Sequence, residues 1–167
     1  LLEEYLRGVV PGEVPAKWPL EALKAQAVAS RSYAQYAIEH PRHHPTADIC
    51  TTTHCQHYDA AKIDDRSDEA IRQTRGLILR YNGSTVNTVF SARCGGHTRN
   101  NEDVWTQGRP LPYLRGVSCP DVAEKHGHGV GMCQHGARVF AEQGKTFDQI
   151  LSHYYQSTQL ETIPEKS

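Results

Sequence analysis

Residues 20–39 read LEALKAQAVASRSYAQYAIE, and this stretch decides the fold class. Strong helix formers dominate it. Pro19 suits a first helical position, where its missing N–H costs nothing, and Pro41 lies just beyond the end. The apolar positions Leu20, Leu23, Ala27, Ala34, Ala37 and Ile38 fall largely on i, i+3, i+4 spacing, which predicts a half-buried helix. Its many alanines allow a second backbone to come close. Lys24 and Arg31, seven residues apart, share one stripe about 10 Å long with small Ala27 between them. Such a stripe is ordinarily a solvated face.

Working outward, Ser67 to Arg75 reads as a short helix with Ser67 as cap and Gly76 as stop. LILRY (77–81), Asn82-Gly83 and TVNTVF (85–90) then give a hairpin signal, because Asn-Gly accepts the positive φ values of a type I′ turn. From Ser91 to Asp121 the chain reads as a long, glycine- and proline-rich loop, and loops of this length tend to be functional. A glycine-rich turn over 126–131 opens a helix that Gly144 should close, and Thr146 to Gln149 has capping-box spacing ahead of a last helix. The expected fold is a single mixed α+β domain over 1–167. It has a long N-terminal helix, an antiparallel sheet containing the hairpin, and C-terminal helices.

Composition narrows the function. The 167 residues carry Lys+Arg 18 against Asp+Glu 19, a formal charge of -1, which argues against nucleic acid or an acidic membrane face as the partner. No apolar run approaches the roughly 18 residues needed to span a bilayer. The chain opens at Leu1 without Met or a signal-peptide pattern, as a piece cut from a longer protein would.

Three groups of residues can carry chemistry. In VPGEVP (10–15), Glu13 is framed by prolines, a glycine and valines; desolvation there would raise its pKa and keep it protonated, as a general acid requires. An exposed loop glutamate is the plain alternative. Five cysteines, at 50, 55, 94, 119 and 133, cannot all pair. Cys50 and Cys55, with His43, His44, His54 and His57 nearby, suit a zinc cluster or a local disulfide. Cys94 beside His97 or His128 would suit nucleophilic catalysis, and its pairing with Cys119 or Cys133 is the structural alternative. In HGHGVGMCQHGA (126–137), a second metal site on His126, His128 and His135 has no carboxylate at ligand spacing beside it. A histidine or glutamine donor lining a sugar or peptide groove is the better reading.

Seven segments occur in order: YLRGVVPGEVP (5–15), EALKAQAVASRSYA (21–34), DICTTTHCQHY (48–58), FSARCGGHT (90–98), EDVW (102–105), PYLRGVSCP (112–120) and GHGVGMCQHGA (127–137). Together they resemble the SpoIID/LytB family of bacterial cell-wall proteins. The resemblance implies a lytic transglycosylase that cleaves peptide-stripped peptidoglycan strands and leaves 1,6-anhydro ends, with Glu13 as catalytic acid. It places Lys24 and Arg31 on a groove wall, and Ser30, His128, Gln134 and Tyr154 complete the expected glycan-binding set. It also implies a structural zinc on Cys50, His54 and Cys55 with His44 or His43, not needed for the chemistry. The alternative reading is a non-catalytic glycan-binding or amidase-enhancing module. Implied partners are peptidoglycan strands, a cell-wall amidase and a membrane-anchored protein, and the implied location is the cell envelope, outside the cytoplasm. Cys94, Cys119 and Cys133 depart from the family pattern and are expected to form a disulfide plus one free thiol. The groove should run between the Glu13 loop and the glycine-rich segment near His128.

Overall fold

The computed structural model describes residues 2–41 and 55–164. Helices α1 (Leu2–Glu13), α2 (Leu20–Glu39) and α3 (Asp65–Gln73) come first. Strands β1 (Leu77–Tyr81), β2 (Ser84–Thr85) and β3 (Phe90–Ser91), short helix α4 (Asn101–Val104), β4 (Met132–Cys133), α5 (Gln134–Glu142), α6 (Phe147–Tyr154) and β5 (Gln159–Thr162) follow. The class is α+β, as expected.

Helix α2 is the axis of the molecule and is not half-buried. Its run from Ala25 to Ser32 is buried without a break, and α1, α3, β1, α5 and α6 all pack on it. Ala25, Val28 and Ala29 join one apolar cluster with Leu79, Val86, Met132, Ile150 and Tyr155. Leu23 and Ala27 join a second with Leu6, Val10, Val14, Trp18, Ala70 and Ile71. A helix of small side chains can be approached from every side, so a periodicity suggesting one apolar face understates its burial.

Glu13 lies at the end of a helix, not in a loop. α1 carries Pro11 in its last turn, where proline removes one i→i−4 bond. Tight packing holds this turn in place: Val9, Val10 and Pro11 are buried, and Arg7 forks onto Asp68 of α3 at 3.0–3.2 Å. α3 begins three residues earlier than expected, because Asp64 and not Ser67 caps it, accepting from Arg66 N–H at 2.8 Å.

The Asn82-Gly83 turn has φ values of 47° and 81°, as the hairpin reading requires. The second arm is only β2, however, and the larger partner of β1 is β5, antiparallel with Leu79 opposite Leu160. Phe90 and Ser91 leave for a second, two-stranded sheet, parallel to Met132 and Cys133 of β4. Bridges from Arg93 to His126 and from Arg99 to Val130 lay the 91–121 segment along the glycine-rich turn. The capping box at Thr146 is present, with Thr146 N–H donating to Gln149 Oε1 at 3.0 Å. Among the described residues, no helix is long and apolar enough to cross a membrane.

Candidate functional site

Two glycines of α1 build the site. Gly8 and Gly12 are four apart, hence on one face, and the returning chain lies directly on them. A Cβ on Gly8 would fall 2.3 Å from the Tyr58 ring, and one on Gly12 would fall 2.5 Å from the His57 carbonyl oxygen. Asp59 N–H donates to the Gly8 carbonyl at 3.0 Å. This approach brings His57 N–H to 2.6 Å from Glu13 Oε1.

The other carboxylate oxygen faces α5. Gln134 Nε2 lies 3.4 Å from Glu13 Oε2 and 3.3 Å from Gln26 Oε1. Gln26 in turn donates to Ser30 Oγ at 3.0 Å, and Gln56 donates to the Ser30 carbonyl at 3.2 Å. A buried amide chain thus runs from α2 to the carboxyl group. Burial pushes the Glu13 carboxyl above its ordinary value, against weaker opposing pulls from the His57 N–H, the Gln134 amide and the His57 charge.

Glu13 looks into a cavity of about 450 Å³ whose walls include Tyr33, Cys55, Phe90, Trp105, His126, His128 and Gln134. A second hollow of about 500 Å³ opens on its other side, toward Ala61 to Asp64. The first has the aromatic content of a ligand site. Trp105 is 43% exposed, an unusual state for so large an apolar ring, and its ring lies 5.1 Å from that of His128. Burial lowers the His128 pKa, which disfavours the charged ring. Its Nδ1 accepts from Val130 N–H at 2.9 Å, while the ring donates to the Phe90 carbonyl. With both nitrogens occupied, His128 forms a fixed wall. Glu13 is the one acidic residue among the described residues lining this cavity. Glu102 is held by Arg115, Asp121 by Arg93, and Asp103 accepts from Asn100.

The expected glycan-binding residues divide. Gln134 and His128 are at the cavity. Lys24 and Arg31 do not line it. Lys24 pairs with Glu21 at 2.7 Å and lies over the Phe147 ring. Arg31 is fully buried; its guanidinium meets both oxygens of Glu3 at 2.7 and 2.9 Å and the Leu77 carbonyl at 3.1 Å. The shared stripe holds α2 to α1, β1 and α6 instead of forming a groove wall. Ser30 is fully buried and meets the site through the amides of Gln26 and Gln56. Tyr154 is fully buried, its hydroxyl 3.1 Å from Cys119 Sγ.

Cys94, Cys119 and Cys133 form no disulfide. Their sulfurs lie within 4.8 Å of one another, all buried. Cys94 therefore sits among thiols and not beside a histidine; the His97 ring bonds the Thr98 carbonyl at 2.7 Å. His126, His128 and His135 form no ligand group among the described residues, and His135 packs edge-on against Trp18. Of the expected zinc ligands, His44, Cys50 and His54 lie outside the described residues, as does His43. Cys55 is described, half-buried in the cavity wall.

Sequence reasoning passed over Gln26, Tyr33 and Trp105, and read His57 only as an imidazole near the expected zinc. The available signals were a glutamine in an otherwise alanine-rich helix, the four-residue spacing of Gly8 and Gly12, and a tryptophan in a polar loop.

Comparison with known proteins agrees with the segments quoted above. The SpoIID family model, described as Stage II sporulation protein, matches residues 1–81. An uncharacterized protein of Brachyspira hyodysenteriae is 44% identical over 117 residues, 70% of this chain and 31% of that protein. The amidase enhancer of Bacillus subtilis is 38% identical over 109 residues, 65% of this chain and 14% of its own length. The chain therefore spans under a third of the first relative and about a seventh of the second. Stage II sporulation protein D of Bacillus subtilis is 27% identical over 259 residues, covering 95% of this chain and 74% of that protein. Since 259 exceeds 167, that relative has inserted stretches this chain lacks. On these matches, the chain is similar to the SpoIID family, whose model covers its residues 1–81.

Proposed function

We propose that this chain acts on the bacterial cell wall as a lytic transglycosylase, cutting peptide-stripped glycan between N-acetylmuramic acid and N-acetylglucosamine. The observation that carries the reading is a single buried carboxyl at an aromatic-walled cavity, with no second acid among the described residues there. A hydrolase of the usual kind needs two carboxyl groups flanking the bond; an intramolecular attack needs one.

Glu13, protonated, gives its proton to the bridging oxygen as the bond to the muramic anomeric carbon breaks and positive charge builds on the ring. The resulting carboxylate then takes the proton of the muramic 6-hydroxyl, whose oxygen closes onto that carbon. The product is a 1,6-anhydro sugar, and water is not consumed. His57 N–H anchors Oε1, which leaves Oε2, with its longer contact to Gln134, to move the proton. Trp105, Tyr33 and Phe90 supply flat surfaces for sugar rings, and His128 fixes the far wall. Zinc on His44, Cys50, His54 and Cys55 would pin the segment ending at the cavity wall and takes no part in these steps.

The second reading is a glycan-binding module that stimulates an amidase, favoured by the relative named amidase enhancer. Likeness to the SpoIID family also favours work at the cell envelope, outside the cytoplasm. The deciding experiment is mass spectrometry of products from denuded glycan. Anhydro-muramic ends from the wild type, and none from Glu13→Gln with its fold intact, are expected. Co-sedimentation with glycan and no product from either protein supports the binding module instead.

A further inference from the structure

The cluster of Cys94, Cys119 and Cys133 is used by none of this chemistry, yet three remote segments converge to build it. Cys94 follows β3, Cys119 ends the long loop, and Cys133 caps α5. The three are 4%, 7% and 0% exposed, and no two are joined. Zinc–sulfur bonds of about 2.3 Å put ligand sulfurs about 3.8 Å apart around a tetrahedral ion and about 4.0 Å apart around a planar one. The observed mutual spacing, within 4.8 Å, admits either after small side-chain adjustment.

The polar neighbours of the three sulfurs are few: the Cys133 thiol donates to the Ala92 carbonyl at 3.6 Å. Gly136 N–H donates to Cys133 Sγ at 3.4 Å. The Tyr154 hydroxyl adds a contact to Cys119. Position 136 must be glycine for this arrangement, since a Cβ there would lie 2.3 Å from Cys119 Sγ and 2.2 Å from the Tyr154 hydroxyl. Thiol sulfur accepts hydrogen bonds weakly, whereas thiolate accepts them well, and donors around ligating sulfurs are the usual outer shell of a metal site. On binding a metal ion the three thiols lose their protons, and the cation then offsets three adjacent thiolate charges in an apolar core.

We propose that Cys94, Cys119 and Cys133 bind a thiophilic divalent ion, zinc by ligand chemistry, as a structural cross-link separate from the cysteines and histidines of 44–55. The ion ties together the strand before Cys94, which contributes Ser91 and Ala92 to the cavity, and the turn into α5, which contributes Gln134. The regular structure joining these segments is short, two residue pairs of β3 on β4 and a bond from Cys119 N–H to the Gly96 carbonyl at 3.0 Å, and the metal tie reinforces it.

The test uses the full chain carrying Cys50→Ser and Cys55→Ser, stripped of metal under reducing conditions and titrated with Co²⁺. One Co²⁺ per chain with a thiolate-to-cobalt charge-transfer band is expected, displaced by Zn²⁺ and lost on adding Cys94→Ser and Cys119→Ser. A folded variant that shows no such band overturns the proposal. In case that variant does not fold, the wild-type chain, purified without chelator, is alkylated and read peptide by peptide. Protection of Cys94, Cys119 and Cys133 that a zinc chelator removes supports the site. Labelling indifferent to chelator, or a disulfide between any two of the three, overturns it.

Discussion

The side-chain amide of Gln134 bridges Gln26 and Glu13, 3.3 Å from the first and 3.4 Å from the second. Because Gln26 accepts one of its protons, Gln134 turns its N–H groups toward the carboxyl group, and this donor lowers the Glu13 pKa against the larger effect of burial. Gln134→Leu should therefore raise that pKa further. Activity that needs protonated Glu13 is present below the raised value and lost as pH rises through it, so the descending limb of kcat/KM should move to higher pH. A variant with lower activity throughout and an unmoved limb would show that Gln134 does not act through Glu13.

The same carboxyl makes a stability prediction. Its folded-state pKa is raised, so its contribution is fully present below the ordinary glutamate value and is lost as pH rises through the raised one. Above that point the buried carboxylate is a cost. Glu13→Gln should melt higher than wild type at pH above the raised value and lose that advantage in acid, while turnover falls by roughly 10²–10⁴-fold. Thermal melts across pH check this; a difference that does not vary with pH would mean the carboxyl is solvated.

Gly12→Ala probes the placement of His57. Helix preference alone favours alanine by about 0.5–1 kcal/mol. The new methyl group, however, would meet a backbone carbonyl that cannot rotate away. Overpacking should cost about 1–3 kcal/mol and draw His57 N–H off Glu13. Denaturant melts and the pH profile should both change; an unaltered profile would mean His57 is not needed to hold the carboxyl.

Arg31 and Trp105 should separate stability from binding. Arg31→Met removes the buried partner of an ion pair whose Glu3 is partly exposed and should cost up to about 3 kcal/mol, with KM unchanged in the folded fraction. Trp105→Ala should leave the melt nearly unmoved and weaken glycan binding roughly tenfold, about 1.4 kcal/mol. The opposite pattern would return Arg31 to the groove.

Local order was legible in the residues. The 20–39 helix, the Asn82-Gly83 turn, the Thr146 capping box and an acid with stiff apolar neighbours at position 13 each depend on contacts within a few residues, which the order of residues states directly. Partners remote in the chain were not legible. Which side of Arg31 met Glu3, which glycines received His57, and that three cysteines would gather without pairing follow from how α1, α2 and the loops pack. A charge stripe looks the same whether water or a carboxylate awaits it. Burial, set by elements far off in sequence, chose between them here and raised the proton affinity of Glu13.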